Sequence, residues 1–470
     1  PGPSTSPLVA PQRVNGYDWH GQAGECMSAK IFRDPLYNYV SIDRQRDGWL
    51  LELLDCPEVQ RLRRIHQLGV SYVTYPGADH NRLSHSLGVL HLMQQAFQHI
   101  ESSYNDEHFN RGRAPLLAAA LIHDVGHGPF SHLFEPCLGI DHEVWSQRIV
   151  LCEDSDLRVN KTLRRVDRTL PQIVAELIDA DNYDHPPWMK YLLSSQLDMD
   201  RLDYLRRDSL FTGAGYGHYD FYRLLNTFEL HPDQEGNRDI VWSDKSKFAI
   251  EEYIFARHYM YQNVYLHKTT RGFEKMLESM WRRARHLHAN GQDVMLVPAI
   301  RDFWGSAEST PQQFLRIEEF TVLQQIQNWI DHRDKSLSDL ARRFLARKRF
   351  SMIEPPPAKE GLAPNNGAWE DALLALVKQK TEYDPPDMYC LKDKVKAKYN
   401  QPYFPEKEAD EQSVKNAIRI IVDGKSEPIE ISTLLDRLKP LTQEPTERVR
   451  YYIPKDLLPA AKSLRSQWTG

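Results

Sequence analysis

Cysteine is scarce in this chain and never paired by spacing. The five cysteines, Cys26, Cys56, Cys137, Cys152 and Cys390, are scattered over 470 residues with no C-x-x-C among them. An odd, sparse set excludes a disulfide framework and points to reduced thiols, hence to a cytoplasmic protein. Long apolar runs are missing as well. No stretch approaches the roughly 20 residues a bilayer-spanning helix needs, and no signal peptide is recognisable. Positive charge is not in surplus. A formal net charge of -6 argues against a general nucleic-acid coat protein, though not against local basic pockets. The glycines at Gly213, Gly215 and Gly217 lack the spacing and the lysine of a phosphate loop. No internal repeat is evident. What remains is an ordinary globular composition, 41% hydrophobic and 26% charged, long enough for a large core and more than one domain.

Punctuation divides the chain. Residues 1–29 open on a Pro/Gly/Ser-rich stretch and read as a disordered leader or expression remnant, with Met27 a natural start. Residues 30–353 are mostly helical in pattern. They begin with a short extended arm, in which Asp34-Pro35 signals a turn. Helical spacing follows over Leu50–Leu68, with Asp55 and Pro57 as a start signal inside it, and over His80–Phe97. A long helical pattern runs from Phe248 to Met280. Further helices are expected over Phe314–Trp329 and Leu337–Phe350. Residues 354–367, EPPPAKEGLAPNNG, read as a linker. Residues 368–470 form a small α+β lobe: a helix over Trp369–Lys380, a strand pair from Ile418 to Ile431 turning at Asp423-Gly424, and a strand over Arg448–Ile453.

The chemistry is concentrated in LLAAALIHDVGHGPFSH, from Leu116 to His132. An apolar helix ends in His123, Asp124, His127 and His132. His123 and Asp124 are neighbours on that helix, about 100° apart, so both can approach one ion. Imidazole with carboxylate suits a first-row transition metal. Standing alone, such a pair is more often a buried, self-satisfied hydrogen bond. Further donors come from elsewhere. His85 lies on the helix of HNRLSHSLGVLHLMQQAF, and Asp200 lies among Leu and Met residues in LLSSQLDMDRLDYLRRDSL. Helices in a bundle can aim such residues at one point, leaving room for water or a substrate oxygen.

The order H…HD…D resembles the HD phosphohydrolase superfamily. KIFRDPLY, DCPEVQRLRRIHQLG, YPGADHNRLSHSLGV, LIHDVGHGPFSH, DHEVWS, LDMDRLDYLRRD and YLHK are similar to the deoxynucleoside triphosphate triphosphohydrolases, over roughly Lys30 to Ile353. These include the animal enzyme that joins a sterile-alpha-motif domain to an HD domain. The resemblance implies a mainly α fold, an HD-domain helical bundle with a short N-terminal extended arm and a small C-terminal α+β lobe. It implies a divalent metal (Fe, Mn, Mg or Zn) held by His85, His123, Asp124 and Asp200, with a second Mg beside the phosphates. It further implies that His127, His132 and His142 line the reacting phosphates, Glu143 orients His142, and His132 is the general acid. Arg82, Arg201, Arg257 and Lys268 would contact the triphosphate. Gln67 and Leu68 would meet the 3′ side of the sugar, Tyr265 would exclude a ribose, and Tyr204 and Asp208 would complete the contacts. The expected reaction converts a dNTP to deoxynucleoside and triphosphate.

The resemblance also implies a homo-oligomer, dimer or tetramer, activated by GTP or dNTP at Lys30, Ile31, Asp55, Gln60, Arg63, Arg223 and Lys245. Three positions depart from the family pattern: Arg33 stands for asparagine, Ser243 for arginine, and Arg201 for a frequent lysine. The bland alternative for Asp55 and Arg63 is a local ion pair. Rival functions are an HD phosphohydrolase for another nucleotide, a single-strand nuclease using the basic segments Trp281–His288 and Ala341–Phe350, and a non-enzymatic nucleotide sensor. The basic segments lack the aromatic interleaving of a stacking platform.

Overall fold

A β-hairpin opens the described chain. The computed structural model describes residues 29–103, 107–131, 141–178, 185–232, 238–306, 308–357, 366–395, 403–405, 417–442 and 448–468. The expected leader before residue 29, His132 and most of the expected linker lie outside these residues. In the hairpin, Ala29–Asp34 (β1) pairs antiparallel with Asn38–Asp43 (β2). Asp34 Oδ1 accepts from the backbone N–H groups of Leu36 and Tyr37, so the Asp-Pro signal closes the turn as its chemistry suggests.

Gly48–Leu54 (α1) follows, then two single turns, Pro57–Gln60 and Arg61–Arg64. The continuous helix expected to Leu68 is therefore broken. Cys56 is extended ahead of Pro57, and Ile65 turns extended after Arg64, which frees Gln67 and Leu68 to lie in a loop. Arg82–Ser103 (α2) and Glu107–Ile122 (α3) then pack side by side. Every residue from Leu116 to Ile122 is fully buried, as a helix apolar on all sides must be. Around this pair stand His142–Leu151 (α4), Leu170–Ile178 (α5) and Met199–Thr212 (α6). The α5 helix rests on α3 and α4, and α6 lies against α2. The result is a helical bundle with α3 at its centre.

Strands Phe228–Pro232 (β3) and Arg238–Ser243 (β4) leave the bundle, and Lys247–Met260 (α7) returns to it. The single helix expected to Met280 is interrupted. A wide turn, Tyr261–Tyr265, ends α7, and His267 caps a new helix, Lys268–Ala289 (α8), by accepting from Thr269 N–H. Glu319–Trp329 (α9) and strand Ser351–Ile353 (β5) come next.

The C-terminal segment is α+β, with helix Asn366–Lys378 (α10) and strands Leu391–Val395 (β6), Arg419–Ile421 (β7), Ile429–Glu430 (β8) and Arg448–Ile453 (β9). Its strands complete sheets begun earlier in the chain, in the orders β3-β4-β7-β8 and β5-β9-β6. Among the described residues no helix is long and apolar enough to cross a membrane, and Cys56, Cys152 and Cys390 are free thiols.

Candidate metal centre

Three elements of the bundle converge on one point. His85 sits on the first turn of α2, His123 follows the last residue of α3, and Asp200 lies in the first turn of α6. The sequence suggested that His123 and Asp124 lie on the helix. The regular helix ends at Ile122, although the N–H of His123 still reaches Ala119 O at 2.8 Å. One donor atom from each of His85, His123 and Asp200 lies within 4.8 Å of the others. Asp200 Oδ1 is 2.8 Å from His85 Nε2 and 3.6 Å from His123 Nε2. Yet both ring nitrogens are buried without a hydrogen-bond partner. Two imidazole nitrogens and a carboxylate oxygen are thus crowded together in a buried pocket, with the nitrogens poorly served by one another. The donor set and these orphaned atoms fit a divalent ion. Asp124 borders the same point, Oδ1 at 3.3 Å from His123 Nε2 and Oδ2 at 3.8 Å from His85 Nε2. Its Oδ2 is also held by Arg82 at 2.7 Å.

Charge is balanced tightly here. Burial opposes ionising Asp124, but Arg82 outweighs it and holds the carboxyl well below the usual range. Burial likewise opposes Asp200, which His123 and His85 keep ionised. Burial also disfavours the His85 imidazolium, but Asp200 and Asp203 lift its pKa to about 10. A cation entering the site takes the place of those protons, so its affinity rises with pH.

His127 is buried against the same cluster, with Nε2 at 3.3 Å from Asp124 Oδ1 and its ring stacked on His142 at 4.1 Å. Burial, Arg82 and His142 push its pKa well down, so it is neutral at physiological pH. The loop carrying it is pinned to α4, since Gly126 N–H donates to Ser146 Oγ, which donates to His123 O. Asp141 caps α4 and so sets the direction of His142 and Glu143 in its first turn.

A polar wall stands beside the donors. Tyr204 faces His85 at 6.5 Å and Tyr265 at 6.3 Å. The Tyr265 hydroxyl donates to Asp208 Oδ2 at 2.8 Å, while His80 holds Asp208 Oδ1 at 2.7 Å. Gln67 N–H donates to His80 O, and Leu68 follows in the same loop. Arg201 is tied to Asp198 at 3.1 Å, and buried Arg257 lies over the Tyr261 ring. Lys268 is exposed at the head of α8.

Of the residues that the resemblance ties to nucleotide activation, Asp55, Arg63, Arg223 and Lys245 are exposed and Gln60 is half-buried. Lys30 and Ile31 are exposed on β1. Arg63 takes Gln60, not Asp55, as its partner at 2.7 Å, so the ion pair weighed from the sequence does not form. Arg223 donates to Lys245 O at 3.3 Å. The basic segments are drawn into internal pairs, Arg283 with Asp334, Arg342 with Asp331 and Arg343 with Asp339.

Sequence reasoning passed over Asp203, His80 and Tyr37. Asp203 stood in the carboxylate run three residues beyond Asp200, a spacing that shares a helix face. Nothing in the sequence paired it with His85.

Comparison with known proteins agrees with this geometry. Residues 82–208, from the Arg82 that grips Asp124 to the Asp208 that holds Tyr265, match the HD domain. The uncharacterized protein YwfO of Bacillus subtilis is 39% identical, aligned over 72% of this chain and 75% of its own length. The chain belongs to the HD-domain family. A phosphohydrolase of Bacteroides thetaiotaomicron superposes on this HD-domain protein with a TM-score of 0.71, at 27% identity, covering 90% of this chain and 98% of that one. The deoxynucleoside triphosphate triphosphohydrolase SAMHD1 of Danio rerio is 25% identical over 78% of this chain and 67% of its own length. The fold is that of an HD-domain phosphohydrolase, and its His85, His123 and Asp200 could together hold a metal ion.

Proposed function

We propose that this HD-domain protein hydrolyses dNTPs to deoxynucleoside and inorganic triphosphate, using one divalent ion held by His85, His123, Asp124 and Asp200. The observation that carries the reading is the convergence of His85, His123 and Asp200 within 4.8 Å, next to the Tyr204–Tyr265–Asp208 wall. The similarity to SAMHD1 of Danio rerio supports the choice of substrate.

A divalent ion there would act as a Lewis acid on the phosphate and on the attacking water. The chain's own groups do the rest. Arg82, already fixed by Asp124 and by Ser131 Oγ at 2.9 Å, presents a rigid guanidinium to phosphate oxygens. Arg201 and Arg257 add charge from α6 and α7, and Lys268 would reach in from α8. Neutral His127 can accept a hydrogen bond where an imidazolium could not, and His142 lies stacked on it. Departure of the 5′ oxygen requires a proton, which we assign to His132. Tyr265, held by Asp208, cannot swing aside easily, so a ribose 2′-hydroxyl would meet a fixed ring. Gln67 and Leu68 would contact the 3′ side.

The test is to incubate the protein with each dNTP and NTP, with Mn, Mg or Fe, and resolve the products. Deoxynucleoside plus triphosphate is expected. Monophosphate plus pyrophosphate, or turnover of oligonucleotides alone, would overturn the proposal. We further propose that GTP or dNTP activates a dimer or tetramer through the surface set around Lys30, Asp55 and Arg223. Mass and rate that do not change with added nucleotide would remove that part.

A further inference from the structure

His85 uses both of its ring nitrogens. Nε2 faces the metal centre, and Nδ1 lies 2.8 Å from Asp203 Oδ2. Asp203 is fully buried, and three side chains converge on its carboxylate through four contacts. Arg207 donates Nε to Oδ2 at 2.8 Å and Nη2 to Oδ1 at 2.9 Å. The Tyr37 hydroxyl donates to Oδ1 at 2.8 Å, from the far side of the hairpin turn. Arg207 Nη1 then donates to Asp34 Oδ2 at 2.8 Å, and Asp34 is the residue that closes that turn. The bonds run unbroken from the hairpin to a metal-facing imidazole.

We propose that Asp203 is a positioning residue of the metal centre, and that the N-terminal hairpin holds it in place through Tyr37. The inference rests on the metal reading above. An ionised carboxylate only accepts hydrogen bonds, so Nδ1 must donate and Nε2 is left as the ligand atom. Arg207 alone would satisfy both carboxylate oxygens in a purely structural pair. The carboxylate is instead shared, and a hydroxyl from the hairpin fixes its rotation. The backbone makes room for it as well. A Cβ on Gly88 of α2 would lie 1.9 Å from Asp203 Oδ1, so the α2 surface is recessed where this carboxylate crosses to His85.

The experiment measures Mn2+ affinity of the full chain by electron paramagnetic resonance, for the wild type, Tyr37→Phe and Asp203→Asn. Loss of the outer carboxylate is expected to weaken Mn2+ binding by about 10- to 100-fold. Tyr37→Phe removes one hydroxyl and is expected to weaken it by a smaller factor, with circular dichroism unchanged. In Zn2+-loaded protein the His85 Nδ1 proton should resonate far downfield and move upfield in both variants, which a merely structural role would not produce. Wild-type affinity and an unmoved resonance in Tyr37→Phe would overturn the hairpin's part, and the same in Asp203→Asn would overturn the whole inference. If Asp203→Asn does not fold, Tyr37→Phe decides alone. A wild type that takes up no Mn2+ would sink the metal reading itself, which is a separate failure.

Discussion

Asp200 carries more of the centre than any other single residue, because its Oδ1 faces both His85 and His123. Asp200→Ala should remove the metal and lower turnover by at least about 100-fold, the scale of losing a group that acts on transition-state charge. Metal content and hydrolysis are measured together, and retained activity would refute the ligand set. Tyr265→Ala should leave dNTP turnover measurable while raising the NTP-to-dNTP ratio about tenfold, the worth of one well-placed steric contact. An unchanged ratio would mean that Tyr265 does not read the sugar. A third prediction concerns His66, which bridges Glu319 and Asp79 beside the site loop. Burial works against its charge, but the two carboxylates lift its pKa to about 9. A raised folded-state pKa gives stability that is complete below pH about 6.5, its unfolded value, and lost as pH rises through 9. The wild type should lose on the order of 1 kcal/mol more than His66→Gln between pH 6 and 9.5 in urea unfolding, after solvent screening. Equal losses would show that the bridge is silent. His85, His123 and Asp200 were legible in the sequence because their residue types are odd among apolar neighbours. Asp203 was not, since a carboxylate in a run of carboxylates shows its partner only when two helices meet.

Helices supply the direction of each group, and their ends matter most. The loop after α3 must lie flat on α4, because a Cβ on Gly126 would stand 2.1 Å from His142 O and 2.2 Å from Ser146 N. Those are backbone atoms and cannot yield cheaply. Gly126→Ala should therefore cost about 3 kcal/mol, the upper range for overpacking, and separate the His127–His142 stack. Thermal unfolding and hydrolysis rate check both, and a variant as stable as wild type would show that the loop is soft. Element identity was largely readable. The turn after β1, helix α2 and strand β9 stand where spacing and turn residues put them. Element ends were not. The breaks at Pro57 and at Leu266–His267 occur inside patterns that read as continuous, because apolar spacing says which face is buried and not whether the backbone stays helical.

At the scale of the whole molecule, the C-terminal segment is bound into the rest by main-chain pairing. The β7 strand runs parallel to β4, and β9 pairs with β5. Arg271 of α8 also grips buried Asp393 of β6. Proteolytic cleavage within 358–365 should therefore leave two fragments that elute together from size exclusion and keep their activity. Fragments that separate under native conditions would show that these sheets contribute little.

The sequence by itself determined the chemical inventory: imidazoles and carboxylates set in apolar helices, a turn signal at Asp34-Pro35, and a family pattern over roughly Lys30 to Ile353. These are local properties, fixed by residue type and spacing along one chain. Only the tertiary structure decided which groups meet. It turned His85 so that one nitrogen faces Asp200 and the other Asp203, gave Arg63 to Gln60 rather than Asp55, and set β7 against β4. Contacts between distant segments depend on how helices and strands pack in three dimensions, and a linear pattern does not carry that information.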